Sequence, residues 1–156
     1  MTTEQANKWT LLFKNKITST SDYAKDLLAK NHQPPFVISA NSQSSGRGQK
    51  DHTWSSPEGN IYLSIVLNNK NFPLHLIPHK TAVLICEWFY LNYQVRLTIK
   101  WPNDLLFAGY KLGGILSECK IHLQKETIII GVGLNIKEKF LASSICANEI
   151  LNKKLP

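Results

Sequence analysis

Between Val95 and Ile136 apolar runs recur only a few residues apart, and that spacing limits what the chain can build. Val95–Lys100 alternates Val, Leu and Ile with polar residues, the period of two expected of a half-buried strand. Pro102-Asn103-Asp104 supplies a turn, a second apolar run follows, and Ala108-Gly109-Tyr110 supplies another turn. Lys111 then stands directly before Leu112, Gly113, Gly114, Ile115 and Leu116, and 127–136 pairs back through a turn at 122–126. Strands joined this closely are antiparallel neighbours, because parallel neighbours need a crossover of a dozen or more residues. The expected class is α+β: a mixed, largely antiparallel sheet with packed helices, not a doubly wound sheet.

The preceding chain fits that class. Trp9, Leu11, Leu12 and Phe13 read as a short first strand or an apolar arm. Ser and Thr at 18–21 supply N-caps for a helix over about 20–30, with Tyr23, Ala24, Leu27 and Leu28 at helical spacing. Phe36–Ala40 and Ile61–Leu67 read as strands, and 68–78 as a connection. His79–Asn92 places Ala82, Val83, Ile85, Cys86, Phe89 and Tyr90 on one stripe, which predicts a core helix. The segment 137–156 carries only a weak helical pattern and reads as a short tail on a single domain, 1–156, with its core at 17–136. Cys86 and Cys119 are expected to be inert core fillers.

Composition excludes several classes. Eighteen basic residues against eleven acidic ones give a formal charge of +7, which favours anionic partners. Three widely spaced cysteines form no CxxC or Cys/His metal pattern and fit a reducing, cytoplasmic setting. The polar N-terminus lacks the apolar core of a signal peptide, and no apolar run is long enough to span a membrane. There is no phosphate-binding GxxxxGK[ST], no HExxH and no GxSxG. His75 and His79 are separated by Pro78, which argues against a shared metal site, and the Gly131-Val132-Gly133 run lacks the third glycine of a dinucleotide fold.

Two stretches carry chemistry. A lysine entering a strand with Gly113 and Gly114 can lie beside a ligand that approaches the backbone closely. The polar segment 41–57, NSQSSGRGQKDHTWSSP, is too long for an ordinary turn and interleaves Arg47, Lys50 and His52 with Trp54. It is expected to be a mobile lid over 44–54 that closes on an anion and excludes water.

SGRGQKDHTW, KWPNDLLFAGYKLGGILSE and GVGLNI, in that order and with the upstream STS and IYLSIVL, resemble the catalytic domain of biotin–protein ligases over roughly 17–136. The resemblance implies a domain similar to that of class II aminoacyl-tRNA synthetases. It also implies a reaction in which biotin and ATP, with Mg²⁺, give biotinyl-5′-AMP and biotin then passes to one lysine of a biotin carboxyl carrier protein. A non-catalytic protein that binds biotin or its adenylate is the alternative. On the resemblance, Lys111 and Arg47 are catalytic. Ser19, Thr20, Gln43, Gly46, Arg47, Trp54, Lys111, Gly114 and Ile115 bind biotin. Arg47, Gly48, Lys50, Trp54, Asn103, Lys111 and Asn135 bind ATP or the adenylate, and no residue is assigned to a metal. The alternatives from the residues themselves are that Ser19 and Thr20 are only helix caps, Trp54 only a loop anchor, and Asn103, Asp104 and Asn135 only turn formers. Gln49 stands where many members carry an arginine, with Lys50 beside it. Neither an N-terminal DNA-binding domain nor a C-terminal β-barrel is expected, so DNA is not an expected partner, and the family leaves room for a homodimer.

Overall fold

Dense β-branched sequence with short turns yields one eight-stranded sheet in a computed structural model, described for residues 9–50, 52–69, 72–122 and 125–152. The strands are β1 (Thr10–Ile17), β2 (Phe36–Arg47), β3 (Thr53–Ser56), β4 (Ile61–Asn68), β5 (Thr98–Lys100), β6 (Asp104–Phe107), β7 (Tyr110–His122) and β8 (Lys125–Leu134). Their order is β1-β2-β4-β8-β7-β6-β5, with β3 on the far half of β2. Only β1 and β2 run parallel, so the sheet is mixed and largely antiparallel, as expected. The helices are α1 (Thr20–Ala29), α2 (Ile77–Tyr93) and α3 (Ala147–Leu151).

The two faces carry separate cores. On one, α1 packs Ala24 and Leu28 onto Phe36, Ile38, Val66 and Ile129. On the other, Ile77, Ala82 and Phe89 of α2 pack with Leu105, Leu112, Ile115, Ile128, Ile130 and Val132. Ile128, Ile129 and Ile130 therefore serve both faces in alternation, which explains an unbroken apolar run in a central strand.

Several expectations are corrected. The segment 41–57 is mostly ordered sheet: β2 continues through Arg47, and β3 returns beside it with Gln43 opposite Ser56 and Gly46 opposite Trp54. Its hydroxyl and amide side chains hydrogen-bond one another there, so its polarity marks a lined strand pair rather than a loop. α2 begins at Ile77, and only one side of it meets the sheet. Of the expected stripe Ala82, Ile85, Cys86 and Phe89 turn inward while Val83 and Tyr90 stay exposed, as do Leu84, Trp88 and, at 74%, Leu91. Within 95–100 only Thr98–Lys100 is strand, at an open edge with all three residues exposed. Cys119 is exposed, not a core filler, and Cys86 is half-buried. Of the turn expected over 122–126, residues 123–124 lie outside the described residues, and His122 pairs with Lys125 at the ends of β7 and β8.

Candidate active site

The sheet register builds the site. Ala40, Tyr62, Gly133, Gly114 and Asp104 form one cross-strand row on the face that carries α1. Two glycines in this row leave the backbone bare, and the indole of Trp54 lies on it. A Cβ at Gly133 would stand 2.7 Å from Trp54 Nε1, and one at Gly114 3.2 Å from Cζ3. The expectation that Gly113 and Gly114 open the backbone to a ligand is therefore revised. Gly114 receives Trp54, and Gly113 faces the other core, where a Cβ would collide with Leu134. Trp54 lines the cavity from this fixed seat, with its Nε1 buried and unpartnered.

Lys111 reaches the same face because of a bulge. Leu105 pairs with Gly113 but Leu106 with Lys111, so Leu112 is the extra residue and points into the α2 core. Strict alternation would have sent Lys111 towards that core with Gly113. Instead its ammonium lies 2.7 Å from Asp104 Oδ1 and 5.2 Å from the Trp54 ring centroid. Lysine has three donors, so the ion pair orients the ammonium without exhausting it.

The segment beyond Asn135 is more than a tail. Lys111 N–H donates to the Ser143 carbonyl, and Ile145 N–H donates to the Lys111 carbonyl, each at 2.9 Å. Asn135 donates from Nδ2 to the carbonyls of Lys111 and Ile145, both at 3.3 Å. It lines the cavity, but its amide braces the backbone that carries the lysine. Asn103 behaves similarly, with Nδ2 donating to Ile115 O at 3.0 Å and its carbonyl accepting from Ile115 N.

At the opposite end the start of α1 brings in Ser19, Thr20 and Ser21, all buried. Ser19 is the N-cap and accepts from Asp22 N–H at 3.3 Å. Thr20 donates from both backbone and hydroxyl to Gln43 Oε1, and Gln43 Nε2 donates to Ser56 at 2.8 Å. Gly46 sits tight in the β2–β3 pair, where a Cβ would meet Ser56 and the Trp54 carbonyl, so it shapes the strand pair. Gly48 closes the turn, its N–H donating to His52 O at 2.7 Å.

Arg47 lines the cavity, with Nη1 donating to Asp22 Oδ1 at 2.6 Å and Nη2 lying 3.9 Å from Glu118; Lys25 joins the same cluster. Burial pulls the Asp22 carboxyl upward, but hydrogen bonds from Arg47 and Lys25 outweigh it and hold the group below the ordinary aspartate range.

Together these residues enclose a cleft of about 750 Å³, of the size that holds a small ligand. Among the described residues Arg47, Lys50, Lys100 and Lys111 line it, against one carboxylate, Asp104. Every residue expected of the site except Gly46 borders the cleft. Sequence reasoning missed Ser21, Ser56 and Ser64, and also Asn60, whose Oδ1 accepts from the N–H groups of Ile136, Lys137 and Glu138. The serines gave no signal in a polar chain, whereas Gly59-Asn60 is a turn signal that invited closer reading.

The family model of the biotin/lipoate A/B protein ligases matches residues 13–135. The bifunctional ligase/repressor BirA of Bacillus spizizenii is 33% identical over 134 residues, 83% of this chain and 41% of that protein. The chain thus spans about two fifths of that relative's length. Biotin protein ligase from Aquifex aeolicus, solved with biotin and ATP, superposes with a TM-score of 0.80 at 27% identity, covering 94% of this chain and 63% of the other. The Leishmania major enzyme with biotinyl-5-AMP gives 0.78 at 26% identity, covering 94% and 68%. The match runs from inside β1 to Asn135 and takes in both the glycine row and the lysine bulge, so this chain belongs to the biotin/lipoate A/B protein ligase family.

Proposed function

We propose that residues 1–156 form a biotin–protein ligase catalytic domain, which joins biotin to AMP and passes it to a carrier lysine. The observation that carries this reading is the bulge that sets Lys111 over Trp54, inside a cleft whose charged lining, among the described residues, is mostly cationic. Two anions, a carboxylate and a triphosphate, must meet there, and fixed positive charge offsets their repulsion. A carboxylate oxygen of biotin attacks the α-phosphorus and pyrophosphate departs. The amine of the acceptor lysine then attacks the acyl carbon and AMP departs. Both steps require positioning and charge stabilisation more than a side-chain nucleophile.

The geometry of the cleft supports the following roles. Ser19, Thr20 and Gln43 meet the polar ring end of biotin, and Trp54 supplies an apolar wall. Lys111 and Arg47 receive the carboxylate and phosphates, Gly48, Lys50 and Ile115 border their approach, Gly114 seats the Trp54 indole, and Gly46 acts through the β2–β3 pair that carries Arg47 and Trp54. Asn103 and Asn135 act through the backbone of Ile115 and Lys111. Among the described residues the one lining carboxylate, Asp104, is paired with Lys111, so they offer no set of side-chain ligands for Mg²⁺, which would arrive with the triphosphate. The ion would supply charge neutralisation on the triphosphate. No described helix is long and apolar enough to cross a membrane, and the free cysteines fit a cytoplasmic setting.

Incubation with biotin, Mg-ATP and a biotin carboxyl carrier domain tests this reading by carrier mass. One added biotinyl group on one lysine is expected. Biotin bound with neither pyrophosphate released nor carrier modified would leave only the binding-protein alternative.

A further inference from the structure

Behind the polar end of the cleft runs a chain of hydroxyls whose hydrogen directions the backbone dictates. Thr20 N–H can only donate, and it lies 2.8 Å from an oxygen of the Gln43 amide, which fixes that atom as Oε1. The same oxygen is 3.1 Å from Thr20 Oγ1, so the threonine hydroxyl also donates to it. Having spent its hydrogen, Thr20 Oγ1 must accept from Ser64 Oγ, 2.9 Å away. Ser64 has then spent its own hydrogen, so the 3.1 Å contact with Ser21 Oγ is donated by Ser21. In the other direction Gln43 Nε2 donates to Ser56, and Ser56 donates to the Trp54 carbonyl at 2.9 Å. The order from Ser21 through Ser64, Thr20, Gln43 and Ser56 to Trp54 therefore has one polarity.

Ser64 is the link that carries this polarity to Ser21. It is fully buried and pairs across the sheet with Gly131, whose missing Cβ leaves room for the Ser21 hydroxyl. Ser21 and Thr20 line the cleft, and Ser64 stands behind them. With its hydrogen held by Ser64, Ser21 meets the cleft with lone pairs only.

We propose that Ser64 is a positioning residue for ligand selectivity: it locks Ser21 as an acceptor aimed at a ligand N–H. Within a family whose ligands include both biotin and lipoate, such an acceptor selects a cyclic urea, which carries N–H donors, over a dithiolane, which has none. The inference rests on the biotin reading above. Without Ser64 the Ser21 hydroxyl rotates freely and Thr20 loses its donor, so the preference weakens.

The test is a cycle of protein and ligand changes, read by calorimetry with biotin and with biotin methylated at one or the other ureido nitrogen. Ser64→Ala is expected to weaken biotin about fivefold to tenfold, the worth of one buried hydrogen bond, and to leave the Kd of one methylated analogue unchanged. The KM for ATP is expected to stay constant. Ser64→Cys keeps the shape with a poor donor, and serves if the alanine variant does not fold; it is expected to shift the same ratio by a smaller factor. Equal biotin affinity in wild type and variants overturns the role of Ser64. So does an equal loss for biotin and both analogues, which is the signature of a general structural defect. A wild-type protein that binds no biotin fails earlier, and removes the functional reading along with this one.

Discussion

Lys111 owes its place to one residue of irregularity, and its contribution is separable from that of its surroundings. Lys111→Ala is expected to lower adenylate formation by about 10²–10³, the cost of one well-placed stabilising group, read as pyrophosphate release from biotin and ATP alone. An undiminished rate removes the lysine from the mechanism. The glycines give a sharper contrast. Gly133→Ala puts a methyl 2.7 Å from the Trp54 indole, which must move, so about 1–3 kcal/mol of stability is expected to go together with most of the biotin affinity. Gly109→Ala meets nothing within 4 Å, yet its φ of +86° is unfavourable for a side chain. Its cost is expected near 1 kcal/mol, with affinity intact. Denaturant midpoints and calorimetry on the two variants check both claims, and biotin bound as tightly by Gly133→Ala as by wild type rejects the indole platform.

Among the elements, the strand pair β2–β3 replaces the mobile lid expected over 44–54. Its ladder residues are hydrogen-bonded in the sheet, and the Gly48 and His52 amides are bonded across the turn, so ligand-dependent protection from amide exchange is expected mainly at Gln49 and Lys50. α1 holds the end of β2 through Asp22 and Arg47. The Asp22 carboxyl sits below its ordinary value of 3.8, so the pairing stabilises the fold above that pH and is lost as pH falls through the lower, folded value. Both side chains are about two fifths exposed, which limits the effect to at most about 1 kcal/mol. The melting temperature of Asp22→Asn is expected to lie below that of wild type near pH 7 and to converge with it only as pH falls through the lowered, folded value. A gap that persists into acid assigns the loss to helix capping or packing instead.

Across the whole molecule, residues far apart in sequence are tied at one point. The segment after Asn135 returns to pair with Lys111, and Ala147 of α3 is buried in the same core as Leu112 and Phe89. A chain ending at Ile136 is expected to lose about 3 kcal/mol or more from these buried contacts, and its adenylation rate is expected to fall even at temperatures where it stays folded. Wild-type adenylation in the shortened chain would show that the brace on Lys111 is dispensable.

The strands and α1 were legible because alternation and capping are local patterns, and the motifs around Arg47 and Lys111 hold many of the residues that line the cleft. The polar β2–β3 pair was misread because its side chains are satisfied by partners such as Thr20 and Ser56, which composition does not display. α2 was overcounted because its apolar residues circle the helix and only contact with the sheet decides which are buried. What the sequence determined by itself is an α+β chain with a lysine, an arginine and a tryptophan available for an anionic ligand. Only the tertiary structure decided which face they share. The Leu112 bulge and the Gly114–Gly133 row are properties of strand register, and register is fixed by burial across the whole sheet rather than by neighbouring residues.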